Sequence, residues 1–178
     1  MLLKHFQVKL KLINIEEPLS IDKGSSYFYN GYMKIQQTRN TLSKTYLDAM
    51  RIRQAVFVKG QGVPKNMEID AFEAHCIHFV LYDQHNYAIA TCRLLPNKDY
   101  SQVSLQRMAV LEAYQRQGLG KKLLKNVLDF CQQQDFDKIT LHAQVSAAGF
   151  YQSFGFQKIG KIFEEAGIDH ITMGKELT

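Results

Sequence analysis

The chain has 178 residues, of which 46% are hydrophobic and 22% are charged, and this composition excludes a wholly disordered or collagen-like protein. Its length is typical of one domain, with a hydrophobic core that needs neither disulfides nor a metal for stability. The formal net charge of +5 suits an anionic ligand, but the excess is too small to indicate nucleic-acid binding by itself.

Cysteine usage and hydropathy both bear on the cellular compartment. Cys76, Cys92 and Cys131 are an odd number with no C-x-x-C pair, which favours a reducing compartment over a disulfide framework. The first residues lack the unbroken apolar run of a signal peptide, and no apolar run approaches the ~20 residues that cross a bilayer. We therefore predict a cytoplasmic protein with no membrane partner.

Residues 1–32 are predicted to be an N-terminal extension, with a strand over 8–12 and a loop after it, and residues 33–178 to be the compact domain. Within that domain, alternating and helical apolar patterns predict an order of strands and helices typical of an α/β fold around one mixed sheet. Ser43 or Thr41 caps the first predicted helix, with Leu47 and Met50 facing inward. In chain order, the predicted elements are a strand (33–38), a helix (44–58), two strands (77–82 and 87–95), a strand (103–110), a helix (118–134), a strand (138–143), a short helix (147–154) and two strands (156–161 and 170–175).

The strand over 103–110 carries an irregular apolar pattern. Val103 and Leu105 occupy odd positions, whereas Met108 and Val110 occupy even positions. Because side chains alternate strictly along a strand, the change requires one extra residue, and we predict a β-bulge near 107–109. A strand that simply ends at Arg107 would explain the same pattern.

A glycine-containing loop (115–122, QRQGLGKK) lies between that strand and the next helix. Amides at a helix start are unpaired and carry partial positive charge, and glycines allow an anion to approach them, so this loop predicts a phosphate site. A P-loop would need glycine at Gln115 and Ser or Thr at Lys122, and a dinucleotide fingerprint would need glycine at Leu123. The loop therefore belongs to neither type.

Several segments together resemble the GNAT N-acetyltransferase superfamily. The stretch 105–110 (LQRMAV), followed by the Q/R-x-x-G-x-G/A pattern over 115–120, is similar to its acyl-CoA-binding motif, and LHAQ (141–144) with FY…GF (150–156) is similar to its next motif. Upstream, RIR (51–53), VFV (56–58), VP (63–64), Glu68 and Asp70 are similar to the small bacterial ElaA-like branch. The resemblance covers about residues 33–175.

The resemblance implies a GNAT-like fold, with a mixed, mostly antiparallel sheet flanked by helices and with splayed strands at the acyl-CoA site. It implies that acetyl-CoA is the cosubstrate, with its pyrophosphate on the glycine loop and its pantetheine along the bulged strand, and that no metal is needed. The residues so implied to bind the cofactor are Met108, Ala109, Val110, Gln115, Arg116, Gln117, Gly118, Leu119, Gly120 and Lys121.

Tyr151 is implied as the catalytic acid that protonates the CoA sulfur, and a phenol is a suitable donor because its ordinary pKa is near ~10. Glu68 and Asp70 are candidate bases for the acceptor amine, and solvated or capping charges are the alternative for both. His75 and His170 are further candidates. The sequence departs from its relatives at Gly60 and Asn66, where that branch commonly has acidic residues.

His78 and His142 are interpreted as structural residues. Spacing on a strand would put His75 and His78 on opposite faces, which argues against a shared metal ion. His142 lies on a predicted core strand and is interpreted as a core histidine.

The sequence thus predicts an N-acetyltransferase that acts on a primary amine of a small molecule or peptide. A non-catalytic acyl-CoA-binding or sensory domain is the alternative. An RNA-associated protein is a weaker third option, which would bind RNA with a steep salt dependence; our prediction is that nucleic acid is not a partner. The sequence leaves open whether the protein forms a homodimer.

Overall fold

A computed structural model of the protein describes residues 33–177; the predicted extension over 1–32, including its strand, lies outside the described residues. None of the helices formed by residues 33–177 has the length and apolar character that crossing a bilayer requires. The strands are β1 (Lys34–Thr38), β2 (Ile77–Tyr82), β3 (Ala88–Pro96), β4 (Gln102–Val110), β5 (Lys138–Gln144), β6 (Gln157–Glu165) and β7 (Ile168–Glu176), and the α-helices are α1 (Lys44–Arg53), α2 (Lys65–Glu68), α3 (Leu119–Gln133) and α4 (Ala148–Gln152).

The seven strands form one sheet in the order β1-β2-β3-β4-β5-β7-β6. Strands β4 and β5 are parallel, and the other five neighbouring pairs are antiparallel. The predicted mixed, mostly antiparallel sheet is thereby confirmed. The parallel pair follows from chain order, since α3 provides the crossover that two parallel strands need.

The two faces of the sheet are covered differently. The main core contains Leu123 and Val127 of α3 and Ala148 of α4 against the inward residues of the strands, while a second, smaller cluster lies between α1 and the opposite face. Helix α1 packs mainly on β1 to β4. The same face of β5, β7 and β6 is therefore left more open, and most of β6 is exposed.

Helix α1 begins as the sequence predicts, because the Ser43 side chain accepts a hydrogen bond from the amide of Tyr46 at 3.2 Å. The predicted helix over 44–58 changes character after Arg53 and continues as a π-helical segment, Gln54–Lys59. The inward orientation of Leu47 was wrong, since its residue is 59% exposed. Contact with β2 and β3 selects a face centred on Ala49 and Ile52 instead.

The predicted β-bulge is confirmed in β4. Thr91 of β3 pairs with Ala109 and Arg93 pairs with Gln106, so two β4 residues lie opposite Cys92. Val103 and Leu105 belong to the main core before the bulge, and Met108 and Val110 pack against the same core after it. The extra residue thus restores the apolar side chains to one face.

Strands β4 and β5 pair only at their beginnings, from Gln102 with Lys138 to Leu105 with Leu141. Beyond that point the pairing stops, and the β5-facing edge of the bulged part of β4 borders a cleft between the two strands. The two strands therefore splay apart, as the resemblance implied, and the bulge lies where they separate.

Candidate active site

The glycine loop forms the start of α3. Gly118 is the residue before the helix, with φ at +79°, and Arg116 also has a positive φ of 60°. Among the described residues, no hydrogen bond uses the amide N–H groups of 116–121 as donors, and the first amide of this turn to be paired is that of Lys122, to Gly118. The loop therefore presents several free amides at the positive end of a 15-residue helix.

Two adjoining cavities meet at this loop. A cavity of about 370 Å³ is lined by Val110, Tyr114, Gln115, Arg116, Gly118, Leu119, Gly120, Lys121 and Phe150. A larger one, of about 940 Å³, shares Gly118, Leu119 and Lys121 and adds Gln117, Lys122 and Lys125. Lysine side chains beside exposed amides attract an anion, so the loop and its cavities have the chemistry of a phosphate site.

Met108 connects the loop to the cleft. A Cβ added to Gly120 would lie 3.6 Å from Met108 Cε and 3.7 Å from Phe150 Cζ, so α3, β4 and α4 approach one another here. The side chain of Ala109, in contrast, is buried in the cluster under α1, and only its backbone is available toward the cleft. Gln115 donates a hydrogen bond from Nε2 to the carbonyl oxygen of Val110 at 3.1 Å.

Tyr151 lies at the inner end of the same region. Its hydroxyl is 3.6 Å from Met108 Sδ, and its ring packs edge-on against Phe150 and Phe156. Burial, with a smaller contribution from nearby Cys92, raises the pKa of the Tyr151 phenol above its usual value. The hydroxyl is therefore protonated at neutral pH, which is the state a proton donor needs, and the raised pKa also makes it a weaker acid than an exposed phenol.

Glu68 and Asp70 lie on the opposite side of the sheet from α3, in a network of arginines. The guanidinium of Arg53 donates from Nε to the Glu68 carboxylate, and its two terminal nitrogens donate to Glu73 at 2.7 and 3.0 Å. Arg53, Glu68 and Glu73 are all buried. Each charge is therefore paired where water is absent, as buried charges require.

Arg93 and Arg107 extend this network to the bulge. Arg93 donates to both carboxylate oxygens of Asp70, at 2.5 and 3.1 Å, and to Glu73 at 2.7 Å. Arg107, a bulge residue with φ at +54°, donates to the carbonyl oxygens of Met67 at 2.9 Å and Glu68 at 3.2 Å. The bulge and the segment around α2 are thereby tied together.

These contacts define the ionisation of the carboxylates. Burial opposes the charge on Asp70 and Glu73, but hydrogen bonds from Arg93 and Arg53 respectively outweigh it and lower both pKa values. A lowered pKa makes a carboxylate a weaker proton acceptor. Burial also lowers the pKa of His78, whose Nε2 lies 2.9 Å from the carbonyl oxygen of Glu73, so the neutral ring donates this hydrogen bond.

The pKa shifts of this cluster predict that the protein loses stability on acidification. His78 is neutral when folded, whereas the unfolded chain protonates below its ordinary pKa of ~6.5. Asp70 and Glu73 stay ionised to a lower pH when folded than when unfolded. All three therefore favour proton uptake by the unfolded state, so the free energy of unfolding should fall below about pH 6.5 and again below about pH 4. Urea unfolding between pH 8 and pH 3 measures this.

A His78→Gln variant should lack the first of these two decreases, and replacing the exposed His85 by Gln should leave both unchanged. A free energy of unfolding that stays level from pH 7 to pH 5 in the wild type would contradict the assignment to His78.

The structure places the remaining histidines differently from one another. The interpretation of His142 as a core residue was wrong, since its side chain is 57% exposed. Its Nδ1 lies 3.3 Å from Glu165 Oε2. His75 is exposed in a short 3₁₀ turn, away from the strand assumed for it, and His170 holds its Nδ1 2.7 Å from the carbonyl oxygen of Ile168. Cys92 and Cys131 are buried.

The sequence analysis did not identify the ion pairs of the arginine network or the contact between His142 and Glu165. Arg53 and Arg93 interrupt apolar stretches, and a charged residue in a buried run signals a buried partner, so that signal was available. No comparable signal marked Glu73 as the shared acceptor, 20 residues from both arginines in opposite chain directions. Glu165 likewise gave no local indication of its contact with His142.

Comparison with known proteins identifies the same architecture. A family model described as an acetyltransferase (GNAT) domain matches residues 45–177. The protein ElaA of Escherichia coli (strain K12) is 33% identical over 131 residues, which cover 72% of this chain and 85% of ElaA.

Solved structures agree. The crystal structure of Escherichia coli ElaA superposes with a TM-score of 0.72 and 29% identity, covering 81% of this chain and 99% of that one. The crystal structure of an acyl-CoA N-acyltransferase from Pseudomonas aeruginosa has a TM-score of 0.72 and 26% identity, and the match covers 80% of this chain and 99% of that one. The crystal structure of a Lactobacillus plantarum protein has a TM-score of 0.77 and 29% identity, and the match covers 83% of this chain and 100% of that one. By sequence and by fold, the chain belongs to the GNAT acetyltransferase family.

Proposed function

We propose that the protein transfers an acetyl group from acetyl-CoA directly to a primary amine of a small molecule or peptide. Membership of the acetyltransferase family supports an acyl-CoA-dependent transferase. The observation that carries the finer proposal is the junction of three features, namely free amides at the start of α3, an open edge on the bulged β4, and the Tyr151 hydroxyl beside Met108.

In the proposed complex, the pyrophosphate of CoA accepts hydrogen bonds from amides of 117–121, with Gln115 and Arg116 beside them. The pantetheine arm lies along the open edge of β4 from Met108 to Val110, and a backbone N–H there polarises the thioester carbonyl. A preorganised donor at that oxygen stabilises the charge that develops when the amine attacks. Most of the rate enhancement would then come from orientation and polarisation.

Tyr151 has the role of general acid in this proposal. The carbon–sulfur bond breaks as the carbon–nitrogen bond forms, and the phenol gives its proton to the departing sulfur. Glu68 and Asp70 remain proposed acceptor-side residues. Because their oxygens accept hydrogen bonds from arginines, we propose that they shape the acceptor side of the cleft through Arg53, Arg93 and Arg107 and do not take the proton themselves.

The test of the proposed function separates binding from turnover. Thermal unfolding should shift upward with acetyl-CoA and with CoA, and stay unchanged with a nicotinamide dinucleotide, since a ligand at 100 times its Kd adds about 2.7 kcal/mol to stability. Release of free thiol from acetyl-CoA, with a panel of amines, measures transfer. Stabilisation by acetyl-CoA without turnover of any amine would favour a non-catalytic binding domain.

Replacing Tyr151 by Phe is expected to lower kcat about 100-fold, at the lower end of the range that general acid catalysis contributes, with the KM for acetyl-CoA nearly unchanged. The reason is that Phe keeps the ring packing and removes only the donated proton. Thiol release at saturating acetyl-CoA measures this, and Tyr100→Phe, in an exposed turn, is the control. Equal turnover in the Tyr151 variant would exclude the acid role.

A further inference from the structure

The proposed reaction, on which this inference rests, needs a group that removes a proton from the acceptor. A primary amine with a pKa near ~10.4 is almost fully protonated at pH 7, which adds roughly 4.6 kcal/mol to the barrier at about 1.36 kcal/mol per pKa unit. The carboxylate of Asp70 is a poor proton acceptor, because Arg93 lowers its pKa despite its partial burial. The Glu68 carboxylate is buried and bound to Arg53.

The direction from which the acceptor enters follows from the packing of the sheet. Helices α3 and α4, with the amide loop and Tyr151, cover one face. A thioester lying between β4 and β5 is therefore open to attack from the opposite face. On the β5 side of that face, Leu141 and Ala143 point into the main core, so His142 between them points outward.

His142 stands at the cleft itself. The last residue of β5 paired with β4 is Leu141, which makes His142 the first β5 residue beyond the end of the pairing. Two residues further on, Gln144 donates from Nε2 to Gln61 Oε1 at 3.2 Å. Gln61, which follows the π-helical segment, thus contacts this end of β5, on the face to which His142 also points.

Glu165 orients the imidazole of His142. Its Oε2 lies 3.3 Å from His142 Nδ1, although β7 separates β5 from β6 in the sheet. The register of β6 shifts between Ile159 and Phe163, around Gly160 with φ at +75°, and such a shift bends a hairpin. Phe163 packs edge-on against His142, with ring centroids 4.9 Å apart.

Other titratable groups lie on the neighbouring strands. His170 of β7 stacks on Phe163, and Glu164 and Asp169 are backbone partners in the β6–β7 hairpin. Across the cleft, Arg107 of β4 is directed toward Met67 and Glu68. Glu165 is thus the carboxylate that hydrogen-bonds the ring. A hydrogen bond to Nδ1–H leaves Nε2 with a free lone pair.

We infer that His142, held by Glu165, is the general base for the acceptor amine. Nε2 takes one proton from the ammonium, and the freed lone pair on nitrogen attacks the thioester carbon. The carbon–nitrogen bond forms, the carbon–sulfur bond breaks, and Tyr151 protonates the sulfur. The second proton on nitrogen returns to the Tyr151 phenolate through solvent, and the imidazolium releases its proton to water. One proton is released overall.

The test uses the full-length chain with acetyl-CoA and three probe amines, namely cadaverine, spermidine and a lysine-containing tripeptide. His142→Gln should lower kcat about 10²-fold, as loss of a general base does, and should remove the acid limb of the kcat–pH profile between pH 5 and 8. Glu165→Gln should cause a smaller loss. The thermal shift produced by acetyl-CoA should equal that of the wild type in both variants, and His85→Gln is the exposed-histidine control.

A second readout separates proton transfer from structure. Added imidazole should restore a fraction of the turnover of His142→Ala, which a purely structural role would not allow. If His142→Gln keeps wild-type kcat and pH profile, the base assignment is wrong while the proposed acetyl transfer stands. If the wild type binds acetyl-CoA and acetylates none of the three amines, both the proposed function and this inference fall.

Discussion

A Gly118→Val variant is expected to bind acetyl-CoA about 100-fold more weakly than the wild type. The residue has φ at +79°, where a side chain costs roughly 1–2 kcal/mol, and its amide lies in the loop proposed to hold the pyrophosphate. Loss of two charge-assisted hydrogen bonds at about 1.5 kcal/mol each corresponds to a factor of about 100 in Kd. Isothermal titration with acetyl-CoA measures the change.

The protein itself supplies the control for backbone strain. Gly167 has φ at +77° in the β6–β7 hairpin, and an added Cβ at either Gly118 or Gly167 would meet no atom within 4 Å. Gly167→Val therefore imposes a similar strain without touching the loop. Equal losses of affinity in both variants, or none at Gly118, would contradict the proposed position of the pyrophosphate.

An Arg53→Met variant is expected to lose about 3–5 kcal/mol of unfolding free energy, as breaking a buried ion pair from one side does. Arg53 is 1% exposed and its guanidinium hydrogen-bonds both Glu68 and Glu73. Methionine fills much of the same volume, but it leaves two carboxylates without this partner in a region that excludes water. Urea unfolding with linear extrapolation measures the loss.

Arg51→Met, two residues earlier on α1, is the matched control. The side chain of Arg51 is 49% exposed and lies 3.8 Å from Asp48, and exposed ion pairs contribute at most about 1 kcal/mol. A loss of less than 1 kcal/mol at Arg53 would show that the network around Glu73 contributes little to stability.

The sequence was informative wherever the controlling interactions are local. The change in apolar parity between Leu105 and Met108 predicted the β4 bulge, and the helical apolar stripe after Gly118 predicted α3. Both depend on neighbours within a few residues, which the chain order displays directly. The roles assigned to Tyr151 and to the loop over 115–121 stay predictions that the variants above address, and the acceptor-side role of Glu68 and Asp70 stays a prediction as well.

The local sequence pattern did not predict which face of an element is buried when both faces carry apolar residues. Leu47 fits an apolar face of the predicted helix, yet it is exposed because the sheet selects the face that carries Ala49 and Ile52. His142 alternates with Leu141 and Ala143 as a core strand would, but the open side of β5 leaves it exposed to solvent.

By itself, the sequence determined the order of the elements, the irregularity of β4 and the glycine-containing start of α3, because periodicity and glycine placement act over short distances. Tertiary structure alone decided which charges meet. Glu73 is shared by Arg53 and Arg93, which are 40 residues apart in the chain, and Glu165 reaches His142 from 23 residues away. Such pairings depend on strand order and on a bent hairpin, and neither is encoded by the neighbours of the residues involved.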